Sequence, residues 1–384
     1  MNTNLINFDN AATTFPKPPE VRNSVVYAMN NYGGSSGRGG HMLAARTSEM
    51  VFRTRRAAAE FFGADTENVI FCSSCTHALN TAIKGVLRPG DHVITSSLEH
   101  NSVIRPLTEL QQRGLISFSV AGVYDDDEKT AESFRNSVNS RTKAVVCTAA
   151  SNVTGQILPV KLISEICAKN NICLIVDGAQ ACGVIPLNLK DYGINILCTS
   201  GHKGLYGITG TGLLITDGKF SIHPLMQGGT GSGSLEPVQP EYMPDSLESG
   251  TLNTCGIASL EAGIGFISKM TTEKIKQYED RLVNIFLSEA EKYSNLILYR
   301  PVHSECVPIV SFNIADIPSD KTAEILSSRG FCLRAGFHCS AMAHRTLGTE
   351  TGTVRFAPSV FNSEADVKKL CQEIKKIKYP IEKI

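Results

Sequence analysis

The sequence lacks an excess of either charge. Its 37 Lys and Arg balance 37 Asp and Glu, so the formal net charge is zero. Nucleic acid and anionic membranes recruit cationic surfaces, and neither is expected as a partner. Long apolar runs are missing too. Ile172 to Val176 is typical of the longest, far short of the ~20 residues that a bilayer span needs. The start, Met1-Asn2-Thr3-Asn4-Leu5, has no basic-then-apolar pattern of an export signal, and a cytoplasmic location is expected. No second CxxC accompanies Cys72-Ser-Ser-Cys75. Structural zinc takes four ligands, so no metal is expected. A disulfide framework is not expected in a long chain without an export signal. Several of the 12 cysteines (Cys147, Cys167, Cys173, Cys198) instead sit in apolar stretches, where a thiol acts as a small buried hydrophobe.

What is present suits a globular enzyme. A chain of 384 residues, 42% hydrophobic and 19% charged, can bury a large core as one major domain with a smaller partner. Strands are expected at Asn68–Phe71, His92–Thr95, Ile116–Val120, Lys143–Thr148, Ile172–Val176 and Ile194–Cys198. Helical patterns lie between them at Thr76–Leu87, Ser102–Arg113, Asp127–Val138 and Pro159–Asn170, the last with Pro159 in its first turn. Such alternation implies an α/β fold: a mainly parallel sheet with helices on both faces. Ligands of such sheets gather at the carboxyl ends of the strands. Gly228 to Pro244 reads as a mobile loop and Thr271–Tyr293 as a long helix. From Val307 onward the order strand, helix, strand, loop, helix suggests a small α+β domain. The expected division is 15–265 for the large body. Residues 1–14 and 266–384 then form the N-terminal segment, connecting helix and small domain.

Three strand ends carry candidate chemistry. After Val69-Ile70-Phe71, the small residues Cys72-Ser-Ser-Cys-Thr76 open a helix, and free N–H groups at a helix start make an anion site. Thr76 either adds a hydroxyl to that site or merely caps the helix. The run Ile172–Val176 ends in Asp177, an acid that needs a partner there, either as a local cap or against a cationic ring nitrogen. Lys203 follows 26 residues later, one helix-and-strand excursion on, with Ser200 and His202 beside it as anion donors. Small residues around that lysine admit a close-fitting cofactor.

Together, Asn7-Phe-Asp-Asn-Ala-Ala-Thr, Asp177-Gly-Ala-Gln, Ser200-Gly-His-Lys and Glu248-Ser-Gly-Thr-Leu-Asn253 closely resemble the class V aminotransferase family of pyridoxal-phosphate enzymes. Arg334-Ala-Gly-Phe-His-Cys339, with Val354-Arg355 and Asn362, resembles the group II cysteine desulfurases within it. The resemblance implies a homodimer of type I aminotransferase fold, pyridoxal 5'-phosphate as cofactor, and L-cysteine as substrate. It implies Lys203 as covalent anchor and mover of the Cα proton, Asp177 on the ring nitrogen and Gln180 on the phenolic oxygen. His100 would stack on the ring and assist proton transfer. Thr76, the Cys75 backbone, Ser200 and His202 would hold the phosphate, with Thr251 added from the other subunit. Asn152 and Arg355 would take the substrate carboxylate, with Arg334 and His41 at the mouth.

Cys339 would receive sulfur as a persulfide and pass it to an acceptor protein. Arg334 and His338 flank it and would favour its thiolate, the form that attacks sulfur. Cys339 follows Gly336 in an expected loop, whereas Cys332 falls in an expected strand. Departures from the family pattern are Phe337 before His338, Asn101 after His100, and Ile208 in the turn after Lys203. A selenocysteine lyase would share the cofactor residues without depending on Cys339. A catalytically silent sulfur-transfer subunit would not need the Lys203 and Asp177 pair.

Overall fold

The computed structural model describes residues 5–37, 39–349 and 351–377. The outermost parts of the expected terminal segments, 1–4 and 378–384, lie outside the described residues. The apolar runs assemble into a seven-stranded sheet. Its order is Val69–Cys72, Gly212–Thr216, Ile196–Ser200, Cys173–Asp177, Thr142–Thr148, His92–Ser96, Ser117–Ala121. The last five run parallel to one another. Each expected strand and its following helix is found within about two residues of its expected position; such boundary slips are normal.

The continuous apolar character of these strands has a simple cause. Successive side chains point to opposite faces, and here both faces are covered. Val145 and Cys147 enter one core while their neighbours Ala144 and Val146 enter the other. Pro159 precedes the helix Val160–Lys169 as its N-cap rather than standing in its first turn.

The strand Gly212–Thr216 was not expected. It pairs antiparallel with both neighbours and is why the sheet is mixed. Its apolar centre, Leu213-Leu214-Ile215, follows a glycine-rich turn that masks the pattern. Three further helices, Pro19–Asn31, Met42–Phe62 and Thr254–Met270, also escaped the reading; they contribute Val21, Met50, Phe62, Leu260 and Ile264 to the first core.

The long helix is Thr272–Ala290, with the Thr271 hydroxyl accepting from the Lys274 N–H at 3.3 Å. Beside it lies a four-stranded antiparallel sheet of Arg334–Gly336, Thr353–Phe356, Val310–Ile314 and Leu296–Tyr299. Two of these strands, Leu296–Tyr299 and Thr353–Phe356, are additions to the expected order. Phe286 stacks on Phe356 at 4.5 Å in a third core that also takes in Phe8. The N-terminal strand Ile6–Asn7 pairs in parallel with Phe331–Cys332. Residues 228–244 hold no helix or strand. No helix among the described residues is long and apolar enough to cross a membrane.

Candidate active site

The carboxyl ends of the parallel strands converge on a cavity of about 190 Å³. Nine of the expected site residues line it: Cys75, Thr76, His100, Asn152, Asp177, Gln180, Ser200, His202 and Lys203. They arrive from five different loops, so the sheet is what brings them together.

One end is built for an anion. The helix Cys75–Val86 starts there, and its cap is Ser74, whose hydroxyl accepts from the His77 N–H at 3.1 Å. Thr76 is therefore not the cap. Its hydroxyl lies 2.7 Å from that of Ser102. Opposite, the buried Ser200 Oγ and His202 Nδ1 have no hydrogen-bond partner among the described residues. Leaving such atoms unsatisfied costs on the order of 1–3 kcal/mol each, which an anionic occupant would relieve. Gly212 makes the turn possible: a Cβ there would sit 2.5 Å from the Ser74 backbone.

The other end carries the amine. Burial pushes the Lys203 ammonium below its ordinary range, and the nearby Asp177 carboxylate opposes that shift. A fraction of neutral amine is thereby favoured, the form that attacks a carbonyl. The lysine loop is strapped from outside. Thr14 donates to the Lys203 carbonyl at 2.9 Å, and Lys17 donates to the His202 carbonyl at 2.7 Å. Gln180 donates to the Ala11 carbonyl at 3.0 Å, tying the same N-terminal segment to the cavity wall. Asp177 is held by one oxygen only: Oδ1 accepts from the Ala179 N–H at 2.9 Å and from the Cys75 thiol at 3.3 Å. The carboxylate is thus a local cap, with Oδ2 left without a partner among the described residues. Burial also raises the Cys75 thiol well above its ordinary range, so it stays a donor.

His100 caps the helix Asn101–Gln112. Burial lowers its pKa to about 4, with Asp177 opposing, so the ring is neutral near pH 7. Behind it Glu99 is fully buried, accepting from the Thr148 N–H at 2.8 Å and from the Ser96 hydroxyl.

Cys339 stands at the rim and is the one exposed cysteine among the described residues. His338 and Cys339 both take left-handed backbone, φ 48° and 59°. Such angles are uncommon for residues with a side chain and mark functional turns. The turn is pinned to the cavity wall. Asn101 N–H donates to the Cys339 carbonyl at 2.7 Å, and Asn152 Nδ2 donates to the His338 carbonyl at 2.8 Å. Arg334 reaches the sulfur at 3.3 Å. Arg355, buried, donates to the Asn152 carbonyl at 3.0 Å and pairs with Asp9 at 3.0 Å. Asn152 therefore joins the cavity, the cysteine turn and Arg355. Cys332 is half-buried in its strand, as expected.

His338 departs from expectation. It is buried, Nε2 lies 3.0 Å from the Thr353 hydroxyl, and burial drives its pKa down to about 2. A neutral ring supplies no positive charge to the thiol, so only Arg334 remains for that role. His41 and Thr251 are both exposed and neither lines the cavity; His41 caps the helix Met42–Phe62 instead. Sequence reading missed Ser102, Glu99, Asp9 and the strap Thr13–Lys17. Asp9 and Thr13 lie inside the quoted Asn7–Thr13 motif, but the others carry no local signal.

The aminotransferase class-V family model matches residues 6–370. The chain belongs to that family. The class V aminotransferases are pyridoxal-phosphate-dependent enzymes, and this chain is an enzyme of that kind. A cysteine desulfurase of Haloferax volcanii is 27% identical, across 97% of this chain and 89% of its own length. A probable cysteine desulfurase of Methanothermobacter thermautotrophicus is 28% identical, across 96% and 93%. The apo cysteine desulfurase of Thermococcus onnurineus NA1 superposes with a TM-score of 0.90 at 27% identity, covering 97% of this chain and 94% of that one. Escherichia coli CsdA, at 22% identity and a TM-score of 0.86, shares the fold. The α/β fold expected from the class V motifs is thus the one found. The residues also fit the family's cofactor: orphaned donors suit a phosphate, an open carboxylate oxygen suits a ring nitrogen, and Lys203 suits a covalent link.

Proposed function

We propose that this class V enzyme is a cysteine desulfurase that converts L-cysteine to L-alanine and receives the sulfur on Cys339. The observation that carries the reading is the pinned, strained turn that holds the exposed Cys339 to Asn152, a wall residue of the Lys203 cavity. Thr76, the Cys75 backbone, Ser200 and His202 would hold the phosphate, Asp177 the ring nitrogen and Gln180 the phenolic oxygen. Pyridoxal phosphate, anchored by Lys203 until the substrate amine displaces it, would supply an electron sink that acidifies the substrate Cα–H. The freed Lys203 amine would take that proton as general base, with His100 beside the ring assisting. Arg355 and Asn152 hold the substrate carboxylate, with Arg334 and His41 at the mouth. The Cys339 thiolate attacks the substrate sulfur: an S–S bond forms, the carbon–sulfur bond breaks, and its electron pair returns to carbon, which is protonated to alanine.

The same reading makes the protein a homodimer in which Thr251 of each copy completes the phosphate site of the other. It makes 15–265 the cofactor body, with 1–14 and 266–384 forming the smaller one, in a cytoplasmic enzyme that passes its sulfur to an acceptor protein.

The deciding experiment is Cys339→Ser in the cofactor-loaded protein. It should bind cysteine and keep the visible absorbance, yet form no persulfide and almost no alanine. Residual cleavage of selenocysteine is compatible, since selenium leaves carbon more easily. Undiminished cysteine turnover, or persulfide appearing on Cys332, would overturn the assignment.

A further inference from the structure

Ser102 lies two residues beyond His100, at the second position of the helix Asn101–Gln112, and lines the cavity. Its backbone N–H points at His100 Nδ1 at 3.0 Å, and its hydroxyl lies 2.9 Å from the same nitrogen. On its other side the hydroxyl meets that of Thr76 at 2.7 Å. We infer that Ser102 is a positioning residue that fixes the tautomer of His100 and couples that ring to the anion anchor Thr76.

The argument follows from what each group is able to give. A backbone N–H only donates, so Nδ1 must accept and carries no hydrogen. A neutral imidazole has one N–H, which then resides on Nε2. Protonation of Nδ1 would set two hydrogens against each other, which adds to burial in keeping the ring neutral. Because Nδ1 offers no hydrogen, the Ser102 hydroxyl must donate to it. The Thr76 hydroxyl is then the donor to Ser102 Oγ, and the direction of the chain Thr76, Ser102, His100 is set. Nε2 has no hydrogen-bond partner among the described residues, so the ring presents an N–H to the reaction. An anion arriving at the helix start draws the Thr76 hydroxyl away from Ser102. Ser102 keeps its hold on His100, but with a less polarised hydroxyl. Anchor occupancy is therefore felt at the ring. The catalytic part of this inference rests on the proposed function; the tautomer does not.

Ring-labelled histidine in the cofactor-loaded protein, with His100 assigned by its loss in His100→Gln, reports the tautomer through its nitrogen resonances. The expected pattern is a protonated Nε2 and a bare Nδ1 at neutral pH. An Nδ1-protonated ring or an imidazolium overturns the inference, whatever the enzyme's activity. Two variants test the link. Ser102→Ala frees the Thr76 hydroxyl for the anion, so pyridoxal phosphate binding should be no weaker, while kcat falls about tenfold with KM nearly unchanged, as expected when a reacting group loses its orientation. Ser102→Thr, which retains the hydroxyl, should restore kcat. Alanine behaving as wild type, or threonine as poorly as alanine at equal thermal stability, refutes the coupling. Failure of the wild-type protein to bind pyridoxal phosphate or to consume cysteine would count against the functional reading alone.

Discussion

Arg334 and Arg355 face each other across an antiparallel strand pair. Like charges so placed repel, and the protein offsets only part of that: Asp9 pairs with Arg355 while Arg334 turns to the Cys339 sulfur. Burial pushes Arg355 below its ordinary range with Asp9 opposing, and its buried Nε has no partner among the described residues. The seat proposed for the substrate carboxylate is thus electropositive. Arg355→Lys should raise the KM for cysteine at least about tenfold, because one ammonium lacks the fork that spans Asp9 and a substrate carboxylate together. Steady-state alanine formation at confirmed cofactor loading measures this. An unchanged KM would place the carboxylate elsewhere.

Lys203→Ala should abolish the borohydride-reducible covalent link to pyridoxal phosphate while the thermal transition survives. Among the described residues Lys203 makes no direct ion pair, and burial already disfavours its charge, so the fold should tolerate its loss. Mass analysis after reduction reads the result. A reducible link persisting in the variant would identify another lysine as the anchor.

Two helices on the large body expose apolar side chains: Met29 is 71% exposed, Met42 74% and Phe52 57%. The proposed dimer would cover them. Thr251 does not line the cavity of its own chain, and the proposed dimer would set it at the second copy's. Mixing Lys203→Ala and Thr251→Ala proteins should therefore yield hybrids with one site that regains both residues and activity above either parent. An active monomer in sedimentation would end this expectation.

Glu99 titrates against the fold. Burial raises its carboxyl to about 8, with hydrogen bonds from Ser96 and Thr148 opposing. The folded state holds a proton that the unfolded state releases near its ordinary value of 4.5. The stability contributed by this group is fully present below 4.5 and is lost as pH rises toward 8, by about 1.4 kcal/mol per pH unit at most. Glu99→Gln should flatten that decline, leaving the similar contribution of Glu279, which is also raised to about 8. Thermal midpoints measured between pH 5 and 9 test it; parallel curves would show that Glu99 is not the titrating group.

The α/β architecture, the parallel strands and the chief cavity residues were legible because each is written in contiguous residues. A strand buried on both faces is an apolar run, and a strand end that must deliver chemistry shows its polar residue directly after that run, as Asp177 does, or a few residues on, as Lys203 does. Elements whose burial comes from partners distant in the chain were not legible. Gly212–Thr216 is a strand only because two neighbours pair with it. The helices Pro19–Asn31 and Met42–Phe62 turn part of their apolar surface outward, which blurs their periodicity. The charge state of His338 was equally out of reach: beside a cysteine it reads as a cation, and burial against Thr353 makes it neutral. Ser102 is unremarkable as a residue type, and only its contacts to His100 in its own segment and to Thr76 from another helix give it a role. Local sequence determined which groups the strand ends present. Tertiary packing decided which of them are desolvated, which are partnered and which stay free, because those properties depend on neighbours that only folding brings within a few ångströms.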